Sequence, residues 1–198
     1  MRYPTLGTAA ALAFATATAA AAQTLTSKEA EAVLFGTRGS TVAVSGALDA
    51  TDQAIMKKTI DLLEQQINGP VKYYAAIAYS PDEGILTEAL QSAMNYHSVA
   101  SADAAAIAAC NAVRGSGTAP CQVAARVLPR GYEARPLSLS YDASAAFSKA
   151  YRRAKSPKAF AISEVTGAYA IGTGPEAALA ACQADRPGAG DCRVVVVD

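Results

Sequence analysis

The sequence predicts an α+β protein made of two ββαβ-like repeats. Alanine-rich helices pack on antiparallel or mixed sheet, with two helices ahead of the repeats and one between them. Three observations predict it. Short apolar runs such as Ala159-Phe160-Ala161-Ile162 and Arg193-Val194-Val195-Val196-Val197 alternate with long alanine stretches, which are strand and helix chemistry respectively. The phrase A-A-[I/L]-A-A-C occurs at 105–110 and again at 177–182. Each copy is followed, past a loop of Gly, Pro and small polar residues, by C-x-V opening an apolar run, at Cys121 and Cys192.

The elements follow in order. Residues 1–22 read as an export signal, with Arg2 at the front, a short apolar core from Leu6 to Phe14, and Ala20-Ala21-Ala22 ahead of a cut before Gln23. The chain is therefore expected to be periplasmic or secreted. Residues 23–70 form an N-terminal, mainly helical segment. Thr26-Ser27-Lys28-Glu29 is a capping box for a helix to Phe35, and Thr41–Ser45 alternate as a short strand. Asp49 or Thr51 caps a helix over 52–67, with Ile55, Met56, Ile60, Leu63 and Ile67 on one face. Repeat 1 covers 71–128. Its turn carries Pro81-Asp82-Glu83-Gly84, and Ser101 or Asp103 caps its helix. The connecting segment, 129–157, offers a strand at 137–139 and a helix from Asp142 to Arg153. Repeat 2 covers 158–198, with a capping box at Thr173–Glu176. No Gly/Ser linker divides 23–198, so one compact domain is expected.

Composition narrows the function classes. Lys+Arg and Asp+Glu are both 17, which gives no overall positive charge for nucleic acid. The chain is 52% apolar by residue type, too apolar for a disordered protein, yet 48 of its residues are alanine. No segment after the signal is apolar enough to span a membrane.

The four cysteines, Cys110, Cys121, Cys182 and Cys192, allow three connectivities. The short flexible loops between neighbours favour Cys110–Cys121 and Cys182–Cys192, each stabilising by about 2–3 kcal/mol. Zinc is disfavoured, because C-x-x-C spacing is missing and His97 is the only histidine; no metal and no cofactor are expected.

The layout resembles a family of small secreted bacterial domains of unknown function. Its pattern is [W/Y]-G-A-I-A, then T-G, then A-x-x-A-L-x-x-C, then C-x-V-V. Tyr74–Ala78 and Ala159–Ser163 match the first part, Thr166-Gly167 the turn, Ala177–Cys182 the helix and Cys192–Val195 the last strand. Tyr and Phe stand where the family has tryptophan. The resemblance implies this fold and no particular chemistry. Some similar chains carry an aminolevulinate synthase label, which implies a large pyridoxal-phosphate enzyme; this chain is short, exported and without a recognisable Schiff-base lysine and phosphate cup.

Candidate sites are few. His97, in Asn95-Tyr96-His97-Ser98, is the only conventional general base and the catalytic candidate. Gly172-Thr173-Gly174-Pro175-Glu176-Ala177 mimics a dinucleotide loop, but a glycine turn before a helix explains it. Asp82 and Glu83 read as a solvated turn rather than a hydrolytic pair. Lys149, Arg152, Arg153, Lys155 and Lys158 form a basic cluster around a helix end, which Arg126, Arg130 and Arg135 could extend. It is a binding candidate for an anionic envelope component. The functional expectation is a non-enzymatic, disulfide-stapled binding or envelope-associated module, with another exported protein as an alternative partner. An unrecognised periplasmic enzyme using His97 is the rival.

Overall fold

The computed structural model describes residues 24–198. The export signal and its cut before Gln23 lie outside the described residues. Five helices and two antiparallel sheets make an α+β fold. In chain order the elements are α1 (Ser27–Val33), β1 (Ser40–Val44), α2 (Ala50–Gln66), β2 (Ala75–Tyr79), β3 (Gln91–Ala93), α3 (Val99–Val113) and β4 (Gln122–Pro129). They continue with α4 (Tyr141–Lys149), a 3-10 turn at Tyr151–Arg153, β5 (Ala159–Ile162), β6 (Tyr169–Gly172), α5 (Pro175–Asp185) and β7 (Arg193–Val197). The sheets are ordered β1-β4-β2-β3 and β6-β5-β7.

Each sheet lies between a helix of small side chains and a helix of large ones. The strand period of two sorts the residues. On β2, Ala76 and Ala78 face α3, where Ala102, Ala106 and Cys110 are buried. Ala75 and Tyr79 face the opposite way, toward Met56 and Ile60 of α2. On β5, Ala159 and Ala161 meet Ala178 and Cys182 of α5, while Phe160 and Ile162 meet Phe147 of α4 and Ala30 of α1. Alanine on both contacting surfaces lets the helix backbone come close. At Gly172 on β6 even a Cβ is excluded, since it would lie 2.2 Å from the Ala178 nitrogen. The G-x-G stretch at 172–174 is therefore a close-packing device.

The two sheets share more than their element order. The β2–β4 pairing shifts register between Ile77 and Ala78, and the β5–β7 pairing shifts between Phe160 and Ala161. Matching the two shifts superposes Ser80 on Ser163 and Gly84 on Gly167. Both glycines have positive φ, and each donates its N–H to the serine carbonyl four residues back at 2.9 Å. The helices α2 and α4 hold equivalent places, so each unit runs α-β-β-α-β and is longer than ββαβ.

Both expected disulfides are present, each with Cα atoms 6.1 Å apart, within the usual range. Carboxylates tie each Cys loop to its turn, but in opposite directions. In the second unit Asp191 of the loop accepts from Ser163 Oγ at 2.5 Å and from the Val165 N–H at 3.0 Å. In the first, Asp82 and Glu83 of the turn accept from the amides of Ala119 and Gly115. The turn carboxylates stay at the surface and also anchor the neighbouring Cys loop. Pro120 stands where Asp191 would be, and the buried Ser80 hydroxyl has no partner.

Several local expectations need correction. Helix α3 is capped by Ser98, whose side chain accepts from the Ser101 N–H, rather than by Ser101 or Asp103. Helix α4 is capped by Ser140 and gives way to the 3-10 turn before Arg153. The α5 capping box does not form, because Gly174 at φ 146 is the N-cap. Residues 137–139 join no sheet; Leu137 and Leu139 instead fill the core with α4. The 81–84 turn opens a longer connection that reaches β3 only at Gln91.

The N-terminal segment divides between the units. α1 packs on the second core, and Leu25 exchanges backbone hydrogen bonds with Val195 and Val197 along the β7 edge. β1 and α2 belong to the first sheet.

Candidate functional site

Where the two units meet, the stretch Asn95–Ser98 forms the seam. The Asn95 carbonyl lies where a Cβ on Gly167 would be, at 2.9 Å, so only glycine fits there. Asn95 Nδ2 donates to Asp142, which also pairs with Lys72 at 2.7 Å. Glu164 accepts from the hydroxyls of Ser98 and Ser101 and pairs with Arg193.

His97 sits inside this seam with no exposed surface. The Ser140 N–H donates to Nδ1 at 3.1 Å, so Nδ1 carries no proton and Nε2–H donates to the Ala168 carbonyl at 2.9 Å. Burial pushes its pKa below the ordinary value, against the Ala168 hydrogen bond and the Glu164 charge, which favour the cation. Both nitrogens are thus committed to backbone, in the neutral tautomer. The ring joins the first unit to the second and to the N-cap of α4.

Directly after His97, the N-terminus of α3 forms one wall of a cleft of about 410 Å³. Ser98, Val99, Ala100 and Asp103 line that wall, Tyr74 lies at the base, and Tyr132, Arg135 and Ser138 form the far side. Tyr74 is placed by mutual backbone hydrogen bonds with Tyr96. Its side chain is 1% exposed and its hydroxyl has no hydrogen-bond partner. Burial raises its pKa strongly, helped by Tyr132 and Tyr73 and opposed by the nearby Ser138 hydroxyl, which lies outside ordinary hydrogen-bond geometry, and by the Arg135 charge; the phenol stays protonated. Tyr132, Ser138 and Arg135 all border the cleft, so the hydroxyl is at the cleft end of the ring.

The charged members are held. Asp103 takes Arg126 in a fork, with Nε at 2.9 Å and Nη2 at 2.8 Å. Arg135 lies 3.7 Å above the Phe35 ring. Its Nη1 donates to the Val33 carbonyl at the end of α1, and its Nη2 donates to Glu133.

The basic cluster is partly dispersed. Lys158 is buried, with its ammonium on the Tyr151 carbonyl and near Asp198. Arg152 pairs with Glu31 at 2.8 Å, and Arg126 and Arg135 serve the cleft. Lys149, Arg153 and Lys155 remain exposed around the end of α4. Lys158 is the buried lysine among the described residues; its committed ammonium does not fit a Schiff-base role. All four cysteines are oxidised. Among the described residues no group of His, Cys, Asp and Glu is placed to hold a metal, and no helix is long and apolar enough to cross a membrane.

Sequence reasoning missed Tyr74 as a site residue because its strand looked like ordinary core. Arg135, which the sequence offers as an extension of the basic cluster, lies instead on the cleft wall. Tyr132 and Ser138 carry no local signal, since tertiary packing alone brings their loop to α3.

The class defined by these features is a disulfide-closed α+β protein with two helix-flanked antiparallel sheets and a polar cleft beside their seam. No family model matches the chain, and no curated protein or solved structure is detectably similar to it.

Proposed function

We propose that the chain is an exported, non-enzymatic binding module, periplasmic or secreted after cleavage near Ala22-Gln23. Its partner is an anionic envelope component or another exported protein. One observation carries the reading: a cleft beside the seam holds a buried tyrosine hydroxyl with no partner. A buried donor left unpaired is costly unless something supplies its acceptor. Rigid walls support binding as well, because the α3 side is tied down by a disulfide and the far side by Arg135.

Among the described residues, the conventional base and thiol nucleophiles are committed to structure rather than placed for catalysis. His97 is spent on two backbone groups and the cysteines on disulfides. The exposed Lys149, Arg153 and Lys155 are a second contact surface for an anionic polymer. The two α-β-β-α-β units are read as copies of one motif, supported by their matching bulges and Ser-x-x-x-Gly turns. The aminolevulinate synthase label gains no support from Lys158.

Native mass spectrometry of the mature protein, isolated from the periplasm with its disulfides intact, tests the reading. A retained mass that Tyr74→Phe loses is the expected result. A covalent turnover of any periplasmic component that His97→Asn abolishes, with the fold kept, would overturn it.

A further inference from the structure

We infer that the cleft at the N-terminus of α3 binds a small oxyanion, a carboxylate or phosphate group, whose oxygens accept from the Tyr74 hydroxyl and the Val99 and Ala100 amides. This rests on the binding reading above and names its ligand class.

The donor inventory carries it. Val99 and Ala100 are the first two residues of a helix that runs Val99–Val113. Their amides have no intrahelical acceptor, because the first turn of any α-helix leaves its N–H groups open. The Ser98 side chain is already taken by the Ser101 amide. Both residues line the cleft. The Tyr74 hydroxyl is an independent signal. It is buried and makes no hydrogen bond within ordinary geometry, and its polar neighbours Ser138 and Arg135 both border the cleft, so it too offers a proton there. Three donors thus belong to residues that line one space, and the positive end of the α3 dipole adds to them.

The carboxylates near this helix end are paired: Glu164, outside the cleft lining, is held by the Ser98 and Ser101 hydroxyls and by Arg193. Asp103 is the one carboxylate in the lining, and Arg126 neutralises it through three hydrogen-bond contacts of 2.9, 3.0 and 2.8 Å. Arg135 brings a cation to the far wall. Its guanidinium hydrogens go to carbonyls and Glu133, so it contributes field rather than a direct grip. Tyr132 is 40% exposed at the rim and offers a ring face to whatever carries the oxyanion.

The source of the oxyanion is either a free small molecule or a group on an envelope polymer or lipid. The test separates them. The ¹⁵N-labelled mature protein is titrated with acetate, inorganic phosphate, phosphatidylglycerol vesicles and, as a neutral control, glucose. Saturable movement of the Val99 and Ala100 amide resonances by acetate or phosphate is expected. Tyr74→Phe is expected to weaken it at least tenfold. Val99→Pro removes one amide at a helix position that tolerates proline, and the extended backbone of Ser98 accepts a following proline. It is expected to weaken binding severalfold, which keeps the inference testable if Tyr74→Phe fails to fold. Vesicles moving these amides where both free anions fail would assign the oxyanion to a lipid headgroup. Equal affinity in the parent and both variants would overturn the inference. Movement by glucose and by none of the anionic probes would also overturn it, while leaving the cleft a binding site. No saturable shift with any probe overturns it too, and the native mass spectrum then decides the binding reading separately.

Discussion

The His97 ring donates from Nε2 to the Ala168 carbonyl at 2.9 Å, across the boundary between the two sheets, and accepts the Ser140 amide on its other nitrogen. This position predicts an acid sensitivity distinct from that of the carboxylates. Burial depresses the folded-state pKa of His97 below its ordinary 6.5. The unfolded chain therefore takes up the proton first. The stability it contributes is whole above the unfolded pKa and is lost as pH falls from there through the folded pKa, at about 1.4 kcal/mol per pH unit. Asp191 works lower on the scale. Burial alone would raise its carboxyl, but hydrogen bonds from Ser163 and Val165 outweigh it and hold it below the ordinary value. Urea unfolding across pH 5–7 is expected to show a slope that His97→Gln flattens. The same variant should cost about 2–3 kcal/mol at pH 7 through its unpaired backbone partners. A slope unchanged in His97→Gln would refute the assignment.

Ser80 and Ser163 occupy matching turns, yet their substitution should have opposite signs. Ser163 Oγ is bonded to Asp191, while Ser80 Oγ is buried with only the Glu83 carboxylate nearby, outside ordinary hydrogen-bond geometry. Ser80→Ala removes an unsatisfied hydroxyl and should be neutral or stabilising by up to about 1 kcal/mol. Ser163→Ala removes the short hydrogen bond to the Asp191 carboxylate, leaving it the Val165 amide, and should cost about 1–3 kcal/mol. Thermal melts of the two variants give the comparison directly; equal losses would show that the turns are not energetically different.

Much of the fold was legible because its signals are local. The Cys110–Cys121 and Cys182–Cys192 pairs follow from short loops, and Met56 and Ile60 of α2 follow from helical period. The correspondence between units was harder to read. The A-I-A and A-I-S phrases pair Ile77 with Ile162, whereas the bulges pair Ile77 with Phe160. An offset of two residues leaves each side chain on the same sheet face, so the apolar pattern does not reveal it. The shared Ser-x-x-x-Gly turn was on view at 80–84 and 163–167, but its meaning lies in backbone hydrogen bonds. The cleft was hidden for a stronger reason. Tyr74, Val99 and Arg135 come from three separated segments, and the telling property of Tyr74, a missing partner, belongs to the folded state alone.

Gly172→Ala should damage the second unit severely. The new methyl group would sit 2.2 Å from the Ala178 nitrogen and 2.6 Å from the Ala177 carbonyl carbon. These are backbone atoms of α5, so relief requires the helix to lift from its sheet. A loss of about 3 kcal/mol or more is expected. Gly190→Ala, where a Cβ meets nothing within 4 Å, is the control and should stay within about 0.5 kcal/mol. Denaturant midpoints for the pair decide the matter, and similar midpoints would contradict the close packing.

Each disulfide closes a loop with sequence separation 11 or 10. Loop-entropy reasoning gives about 3 kcal/mol apiece. Replacing Cys182 and Cys192 together by Ala is expected to lose that amount and to loosen α5 from β7. Hydrogen exchange should report faster amides in β5–β7 and little change in β2 and β4. Uniform acceleration across both sheets would mean that the units do not open separately.

Tyr74→Phe should raise the melting temperature of the ligand-free protein while it weakens the cleft. The phenol hydroxyl is buried without a partner, and its removal leaves the ring contacts to Tyr73 and Tyr132 in place. An unsatisfied buried hydroxyl costs about 1–3 kcal/mol, so a gain of about 1 kcal/mol is a reasonable expectation after imperfect repacking. The gain should shrink or reverse when acetate or phosphate is added, because only the parent chain then fills its empty acceptor position and is stabilised by mass action. A variant less stable than the parent without ligand would show that the hydroxyl already has a stabilising partner in solution. In that case the energetic argument for a ligand at Tyr74 fails, whatever else binds at the rim.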